Sequence, residues 1–244
     1  MSATPVVSVV VPVRNEAGNI EPLVKEIERA LTPEGPFEII YVNDGSTDAT
    51  SAELQRLAAT RPHLRQIRHR ESCGQSAAVR SGVRAARSPV IITLDGDGQN
   101  DPAFMPAFLA ELRKAGSGCG LVQGQRVGRK DTAFKRWQSR IANRVRAKVL
   151  NDGTRDTGCG FKCFPREAYL ALPYFDALHR FMPALVRREG LDISYVDVID
   201  RPRLTGVSNY GFFDRLWVGI VDLMGVRWLL KRRKRVPDAM EVSA

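Results

Sequence analysis

The sequence lacks any uninterrupted apolar run of the roughly 18–20 residues that a membrane-spanning helix requires. It also lacks a Walker-type loop and a GxGxxG dinucleotide fingerprint, so the usual phosphate cradles of kinases and dehydrogenases are missing. Cysteine is sparse: Cys73, Cys119, Cys159 and Cys163 fit no zinc spacing, and His63, His69 and His179 add no ligand pair beside them. The four cysteines read as reduced thiols in a cytosolic protein. The start, MSATPVVSVVVPVRNE, has neither a basic leader nor a small-residue cleavage site, so its apolar run reads as a first strand rather than a signal peptide. No internal repeat, low-complexity tract or obvious linker breaks the chain.

What is present is an ordinary globular composition with a strong basic excess. Hydrophobic residues make up 43% and charged residues 26%, which excludes wholesale disorder, and 244 residues suffice for one well-cored domain. The net charge of +10 is unevenly placed: Asp101 to Leu150 holds eleven Lys/Arg against three Asp/Glu, and KRRKR occupies 231–235. Such blocks suit phosphate-bearing partners, or simply a solubilising face.

Strand and helix alternate from the outset. VVSVVVPV (6–13), FEIIYV (37–42), LRQIRH (64–69) and PVIITL (89–94) read as buried strands. Between them, EAGNIEPLVKEIERAL, ATSAELQRLAAT and GQSAAVRSGVRAA carry helical periodicity. This alternation predicts an α/β fold with right-handed βαβ units and a mostly parallel sheet covered by helices. Beyond residue 100, DPAFMPAFLAELRKA reads as a helix, GLVQGQR as a strand and TAFKRWQSRIANRVRAKVL as a basic helix. DTGCGFKCF then feeds a strand, and DISYVDVIDRPR forms another.

In open α/β sheets, ligands bind beyond the carboxyl ends of the strands. Three polar loops leave strands on that edge: PVRNE, NDGSTD and DGDGQ. In DGDGQ, glycines flanking Asp97 in an extended segment let Asp95 and Asp97 reach one cation, and Gln99 adds a neutral oxygen. Such a set leaves positions on Mg2+ or Mn2+ for water and a substrate diphosphate. The same residues also suit a plain strand-to-helix turn. NDGSTD is equally double: Asp44 to Asp48 suits an Asx turn and helix cap, or Asp44 faces a base or a ribose hydroxyl.

VSVVVPVRNEAGNI, VNDGSTDAT, GQSAAVRSGVRAA and VIITLDGDGQNDP, in this order, resemble a family 2 glycosyltransferase of the GT-A fold. The chain is most similar to the dolichyl- or polyprenyl-phosphate sugar synthases, a likeness continued in SRIANRV, RDTGCGFKCFPREA, HRFMPAL and RPRLTGVSNYG and covering roughly residues 6–215. The resemblance implies a UDP- or GDP-linked sugar donor, with Pro12, Arg14, Glu16, Val42, Asp44 and Asp95 lining its pocket and Asp95, Asp97 and Gln99 holding the metal. Arg126, Arg203 and Asn209 would face the diphosphate or acceptor phosphate. Lys135, Arg136, Ser139 and Arg140 would fall on the helix that holds the lipid phosphate. The family usually has Lys where Asn209 stands, which weakens one diphosphate contact, and an aromatic residue is common where Arg14 stands.

A phosphate monoester acceptor needs no general base, because its second pKa of about 6 leaves it largely dianionic. It needs cationic positioning instead, and Arg126, Arg136, Arg140 and Arg144 suit that, unless they only solvate a helix face. Asp156 is the polar group expected near the transferring sugar, as base, sugar ligand or turn former, so that Asp97, Arg126 and Asp156 form the expected catalytic set. The chain divides into a glycosyltransferase domain, 1–211, and a C-terminal helix and tail, 212–244. In FFDRLWVGIVDLMGVRWLLKRRKR, Asp222 and Arg227 interrupt the apolar run. That pattern suits an amphipathic helix in the interface of an anionic membrane, or one packed on its own domain or on a partner. The expected place is the cytoplasmic face of the inner membrane, bound peripherally, with room for a homo-oligomer or a membrane partner. The tail lacks interleaved aromatics, so nucleic acid is not an expected partner. The competing functions are a same-fold enzyme with a saccharide acceptor in envelope polysaccharide or lipid A-related synthesis, and a silent nucleotide- or lipid-binding module.

Overall fold

The structure is a computed structural model that describes residues 4–127, 149–150, 153–154, 156–201 and 212–232, with backbone alone for 212–218. Its elements are β1 (Val7–Val13), α1 (Ala17–Leu31), β2 (Phe37–Asp44), α2 (Thr50–Ala58), β3 (Leu64–His69), α3 (Gln75–Ala85), β4 (Val90–Thr93) and α4 (Met105–Ala115). There follow β5 (Cys119–Arg126), β6 (Lys162–Pro165), α5 (Arg166–Leu170), α6 (Leu178–Arg188), β7 (Asp192–Val198) and α7 (Phe212–Lys231). The seven strands form one sheet in the order β3-β2-β1-β4-β6-β5-β7. All pairings are parallel except those of β6, which runs antiparallel to both β4 and β5.

Strands buried on both faces explain the near-continuous apolar runs. Val7, Val9, Val11 and Val13 of β1 join Ile39 and Tyr41 of β2 on one face, under Ile20, Leu23, Ile27 and Leu31 of α1 and Phe108 of α4. Val10, Ile40 and Val42 point to the other face, under Val79 and Val83 of α3 and Phe181 and Leu185 of α6. Helix α3 lies close against β1 at Gly82, where a Cβ would fall 2.4 Å from Val10 Cγ1.

The expected elements of the first half stand where the periodicity puts them. The helix expected from residue 101 instead starts with a 3-10 turn, Pro102–Phe104, which Asp101 opens by accepting from Ala103 N at 2.9 Å. Helices α5 and α6 add cover that the sequence pattern did not announce. The basic helix expected at 132–150 lies outside the described residues except for its end, where Leu150 packs in the second core cluster. The C-terminal helix forms and rests partly on its own domain. Val226 is buried, and Leu223, Leu229 and Leu230 pack beside it against the cluster that includes α6. Arg188 Nε donates to Leu229 O at 3.1 Å. Its other face exposes Val221, Met224 and Trp228, at helical spacing. No helix among the described residues is long and apolar enough to cross a membrane.

Candidate active site

The carboxyl ends of β1, β2 and β4 meet the start of β6 along one edge of the sheet, because β6 alone runs in the opposite direction. The loops after β1 and β2 are fastened together. Asn15, with a positive φ of 58°, takes a bond from Thr47 N on its Oδ1 at 2.8 Å and donates its own N–H to Ser46 Oγ at 3.0 Å. Glu16 N donates to Thr50 Oγ1 at 3.0 Å, and Thr50 N donates to Asp48 Oδ1 at 2.9 Å. Asp48 is therefore the turn-former of NDGSTD.

Asp44 has different work. Its Oδ1 lies 2.7 Å from His69 Nδ1 and accepts from Cys73 N at 2.8 Å, while Oδ2 accepts from Ser72 Oγ at 2.8 Å and Gly74 N at 2.9 Å. Burial would raise its pKa, but these hydrogen bonds win and hold it below the usual carboxylate value. Gly45, at φ 66°, lets the 71–72 backbone close over the turn, where a Cβ would lie 2.5 Å from Ser72 N. Asp44, His69 and Cys73 are also the cluster among the described residues close enough to share a metal. Both Asp44 oxygens are already taken up, so the cluster is a hydrogen-bonded anchor for the 72–74 loop.

The acid loop turns rather than running extended as its alternating pattern suggests, with the reversal at residues 96–97 and Gly98 at φ 76°. Asp95 Oδ1 accepts from Gln75 Nε2 at 2.8 Å, and Asp97 Oδ1 accepts from Gln99 N at 3.1 Å. Asn100 Oδ1 holds Asp95 N at 2.9 Å, and Arg201 N holds Gln99 O at 2.9 Å. Arg201 also pairs with Asp101 and, at 2.8 Å, with Glu26. Burial first, and the charge of Asp97 second, push Asp95 up to about 6 against the pull of Lys162, Arg126 and Gln75. Two crowded carboxylates of this kind are what a divalent cation relieves, and hard oxygen donors suit Mg2+ or Mn2+. The carboxylate of Asp95 lies flat on Gly160, where a Cβ would fall within 2.4–2.5 Å of it. The residues present fit the metal.

At the end of β5, Arg126 forks onto Asp156, Nε to Oδ2 at 2.5 Å and Nη2 to Oδ1 at 2.8 Å, and Nη1 reaches Asp200 at 3.4 Å. The hydrogen bond to Asp156 is the first cause of a guanidinium pKa raised above its already high value. Asp156 thus stands as the partner of Arg126, and its loop is tied down by Gln123 Nε2, bonded to Gly124 O at 3.0 Å and Cys159 O at 3.3 Å. Beneath Asp95 lies a cavity of about 190 Å³ lined by Gln75, Asp95, Lys162, His179 and Arg180 among others. Lys162 is buried at 3% exposure and donates to Cys159 O; burial lowers its pKa, and its acidic neighbours counter that. His179 Nδ1 lies 2.7 Å from Ser76 Oγ. Burial, then the charges of Lys162 and Arg180, pull His179 down to about 3, so it stays neutral.

Of the residues expected from the sequence, Pro12, Glu16, Asp44, Asp95, Asp97, Gln99, Arg126 and Asp156 lie in loops or strand ends of this region, and Arg14 is exposed beside them. Val42 is fully buried, packing into the core beneath the edge rather than lining a pocket. Lys135, Arg136, Ser139, Arg140, Arg144, Arg203 and Asn209 lie outside the described residues. Gln75, Gln123, Lys162 and His179 were missed; each sits inside an element whose pattern reads as core or cap.

Residues 8–172 match the sequence profile of Glycosyl transferase family 2. The chain belongs to that family. As a family 2 glycosyltransferase it is 32% identical to the dodecaprenyl-phosphate galacturonate synthase of Rhizobium johnstonii over 233 residues, covering 93% of this chain and 68% of that one. It is 32% identical to the undecaprenyl-phosphate 4-deoxy-4-formamido-L-arabinose transferase of Pectobacterium carotovorum subsp. carotovorum, covering 84% of this chain and 63% of that one. The chain thus spans about two thirds of the length of these relatives. Glucosyl-3-phosphoglycerate synthase from Mycobacterium tuberculosis, solved with Mn2+, UDP and phosphoglyceric acid, superposes with a TM-score of 0.70 at 20% identity, over 96% of this chain and 80% of that one. The same enzyme solved with Mg2+ and UDP gives 0.68 at 19% identity, over 96% and 81%. The fold is GT-A, as the resemblance implied.

Proposed function

We propose that this glycosyltransferase moves a sugar, with inversion, from a nucleoside-diphosphate donor to polyprenyl phosphate at the cytoplasmic face of the membrane. The observation that carries this reading is the crowded Asp95–Asp97 pair at the end of β4, set in a chain whose relatives carry the names of polyprenyl-phosphate sugar transferases. Asp95, Asp97 and Gln99 would hold Mg2+ or Mn2+, which when bound supplies positive charge to the diphosphate leaving group. Pro12, Arg14 and Glu16 border the nucleotide, and Asp44 shapes its pocket by fixing the 72–74 loop.

An acceptor phosphate oxygen forms the new bond to the anomeric carbon, and the bond from that carbon to the donor diphosphate breaks, the electron pair leaving with the nucleotide. The acceptor is already anionic, so no side chain must remove a proton. This fits an Asp156 committed to Arg126 rather than free as a base. Arg126, whose Nη1 reaches Asp200, would lie beside the phosphates, with Lys135, Arg136, Ser139, Arg140, Arg203 and Asn209 proposed around them. Residues 1–211 form the catalytic domain. The 212–244 segment rests on the bilayer through Val221, Met224 and Trp228, with Lys231 and Arg232 beside the lipid head groups.

The test is transfer of radiolabel from a panel of nucleotide sugars to undecaprenyl phosphate in detergent, with Mg2+, Mn2+ or EDTA. Chloroform-extractable label that needs metal and vanishes in Asp97→Ala is expected. Label appearing only on a saccharide acceptor would overturn the lipid-phosphate reading.

A further inference from the structure

His179 enters the cavity beneath Asp95 from the first turn of α6, and its ring is fixed on one side only. Nδ1 lies 2.7 Å from Ser76 Oγ. The main-chain N–H of His179, which a helix leaves unpaired in its first turn, points at the same oxygen at 3.4 Å. Ser76, in the first turn of α3, is fully buried, and its hydroxyl makes no other hydrogen bond among the described residues. A serine hydroxyl has one proton to give and two lone pairs. If Nδ1 carried the ring proton, Ser76 Oγ would accept twice and its own proton would be buried without an acceptor, a costly arrangement. If Ser76 gives its proton to Nδ1, every one of these groups is satisfied and the ring proton sits on Nε2. Burial first, then the charges of Lys162 and Arg180, keep a second proton off the ring, and the amino end of α6 acts in the same sense. Nε2 makes no hydrogen bond among the described residues and, unlike Tyr169 Oη or Gln123 Oε1, is not sealed from solvent.

We infer that Ser76 holds His179 as the Nε2–H tautomer, and that His179 presents this neutral N–H donor to a hydroxyl of the donor sugar in the cavity. The inference rests on the nucleotide-sugar reading of the site and adds a specificity-determining residue to it. The cavity, about 190 Å³, has room for one sugar ring. Its two cations, Lys162 and Arg180, are the natural partners of phosphate oxygens, whereas an uncharged donor suits an uncharged oxygen. On the same wall Gln75 Nε2 is committed to Asp95 Oδ1 and Thr93 Oγ1 to Gly160 O, while His179 Nε2–H is left for a ligand. A sugar without the matching hydroxyl would leave that N–H unpaired, which is how a site built around one polar contact rejects a close analogue. His179 takes no part in bond breaking, and Ser76 acts through it as a positioning residue.

Two measurements test this. Nitrogen NMR of histidine-labelled protein at neutral pH, without any ligand, should show His179 Nδ1 as the bare ring nitrogen and Nε2 as the protonated one, the signals being assigned by their loss in His179→Gln. In Ser76→Ala the two shifts should draw together as the tautomers mix. A proton on Nδ1 of the unaltered protein overturns the inference, whether or not any variant folds. Calorimetric binding in Mg2+, without acceptor, then compares UDP-glucose, UDP-galactose, UDP-galacturonate and GDP-mannose, each with its free nucleotide, so that the ratio of affinities reads the sugar alone. For the sugar with the highest ratio, His179→Ala should lower it about 3- to 10-fold, the scale of one neutral hydrogen bond. One monodeoxy analogue of that sugar should lose as much in the unaltered protein. His179→Gln, whose amide N–H falls where Nε2–H stands, should keep most of the ratio, and His179→Asn, whose amide falls where Nδ1 stands, should not. A ratio unmoved by His179→Ala, one kept by Asn rather than Gln, or no weakened deoxy analogue overturns the sugar contact. So does a nucleotide that binds as well without its sugar, although the nucleotide site then stands. Failure of every nucleotide to bind would instead strike the nucleotide-sugar reading itself.

Discussion

The guanidinium of Arg126 and the carboxylate of Asp156 meet in a two-pronged pair that joins the end of β5 to the glycine-rich turn before β6. Each is partly buried, and loss of either removes the strongest charged partner described for the other. A double-mutant cycle with Arg126→Ala and Asp156→Ala, followed by urea denaturation, should give a coupling of about 1–3 kcal/mol. Additive losses would show that the two act separately.

Gly160→Ala places a methyl group where Asp95 keeps its carboxylate. The side chain must swing away, which spoils the oxygen set without touching an acid. We expect apparent metal affinity, read by Mn2+ titration of nucleotide binding, to fall at least about 10-fold, the loss seen when supports of metal ligands are removed. The far-ultraviolet circular dichroism spectrum should not change. Unchanged metal affinity would mean that Asp95 is not a ligand.

His179 gives a pH signature. Its pKa in the folded protein, about 3, lies below the ordinary value of 6.5, so the unfolded chain binds the extra proton first. This contribution to stability is present in full above pH 6.5 and is lost as pH falls toward 3. His179→Gln should flatten that part of a stability profile, and the His179 ring signals in NMR should show no titration between pH 5 and 8. A midpoint near 6.5 would contradict the neutral, half-buried ring.

On α7, Met224 is 67% exposed and Trp228 58% exposed, while Val226 on the inner face is buried. Replacing both exposed residues by Glu should leave the melting temperature within about 2 °C, since surface changes of this kind usually cost less than 0.5 kcal/mol. Cosedimentation with anionic vesicles should drop severalfold. Retained vesicle binding would remove the helix from the proposed membrane contact.

The first four strands and their helices were legible because runs such as VSVVVPV and FEIIYV have one meaning in an α/β chain, burial on both faces. Asp95 and Asp97 were legible because acids and glycines end such a run abruptly. Helix α6 was not, since Pro183 interrupts it and Phe181 to Val186 are all buried, which hides the helical period. Lys162 reads in sequence as one polar residue in a short strand; its meaning comes from β6 lying between β4 and β5. The role of Asp44 as the holder of 72–74 was equally hidden, because its partners arrive from the far end of β3.

The reversed strand β6 has a consequence for how the enzyme is made. A chain emerging from the ribosome completes β1 to β4 long before Gly160 and Lys162 exist to join them. The acid loop must therefore wait for pairings that span about 70 residues, such as Thr93 with Lys162, and these close late because long loops cost entropy before their contacts form. A nascent or truncated chain would have the acids without the cavity beneath them. The acid loop is therefore completed only when synthesis has passed β6.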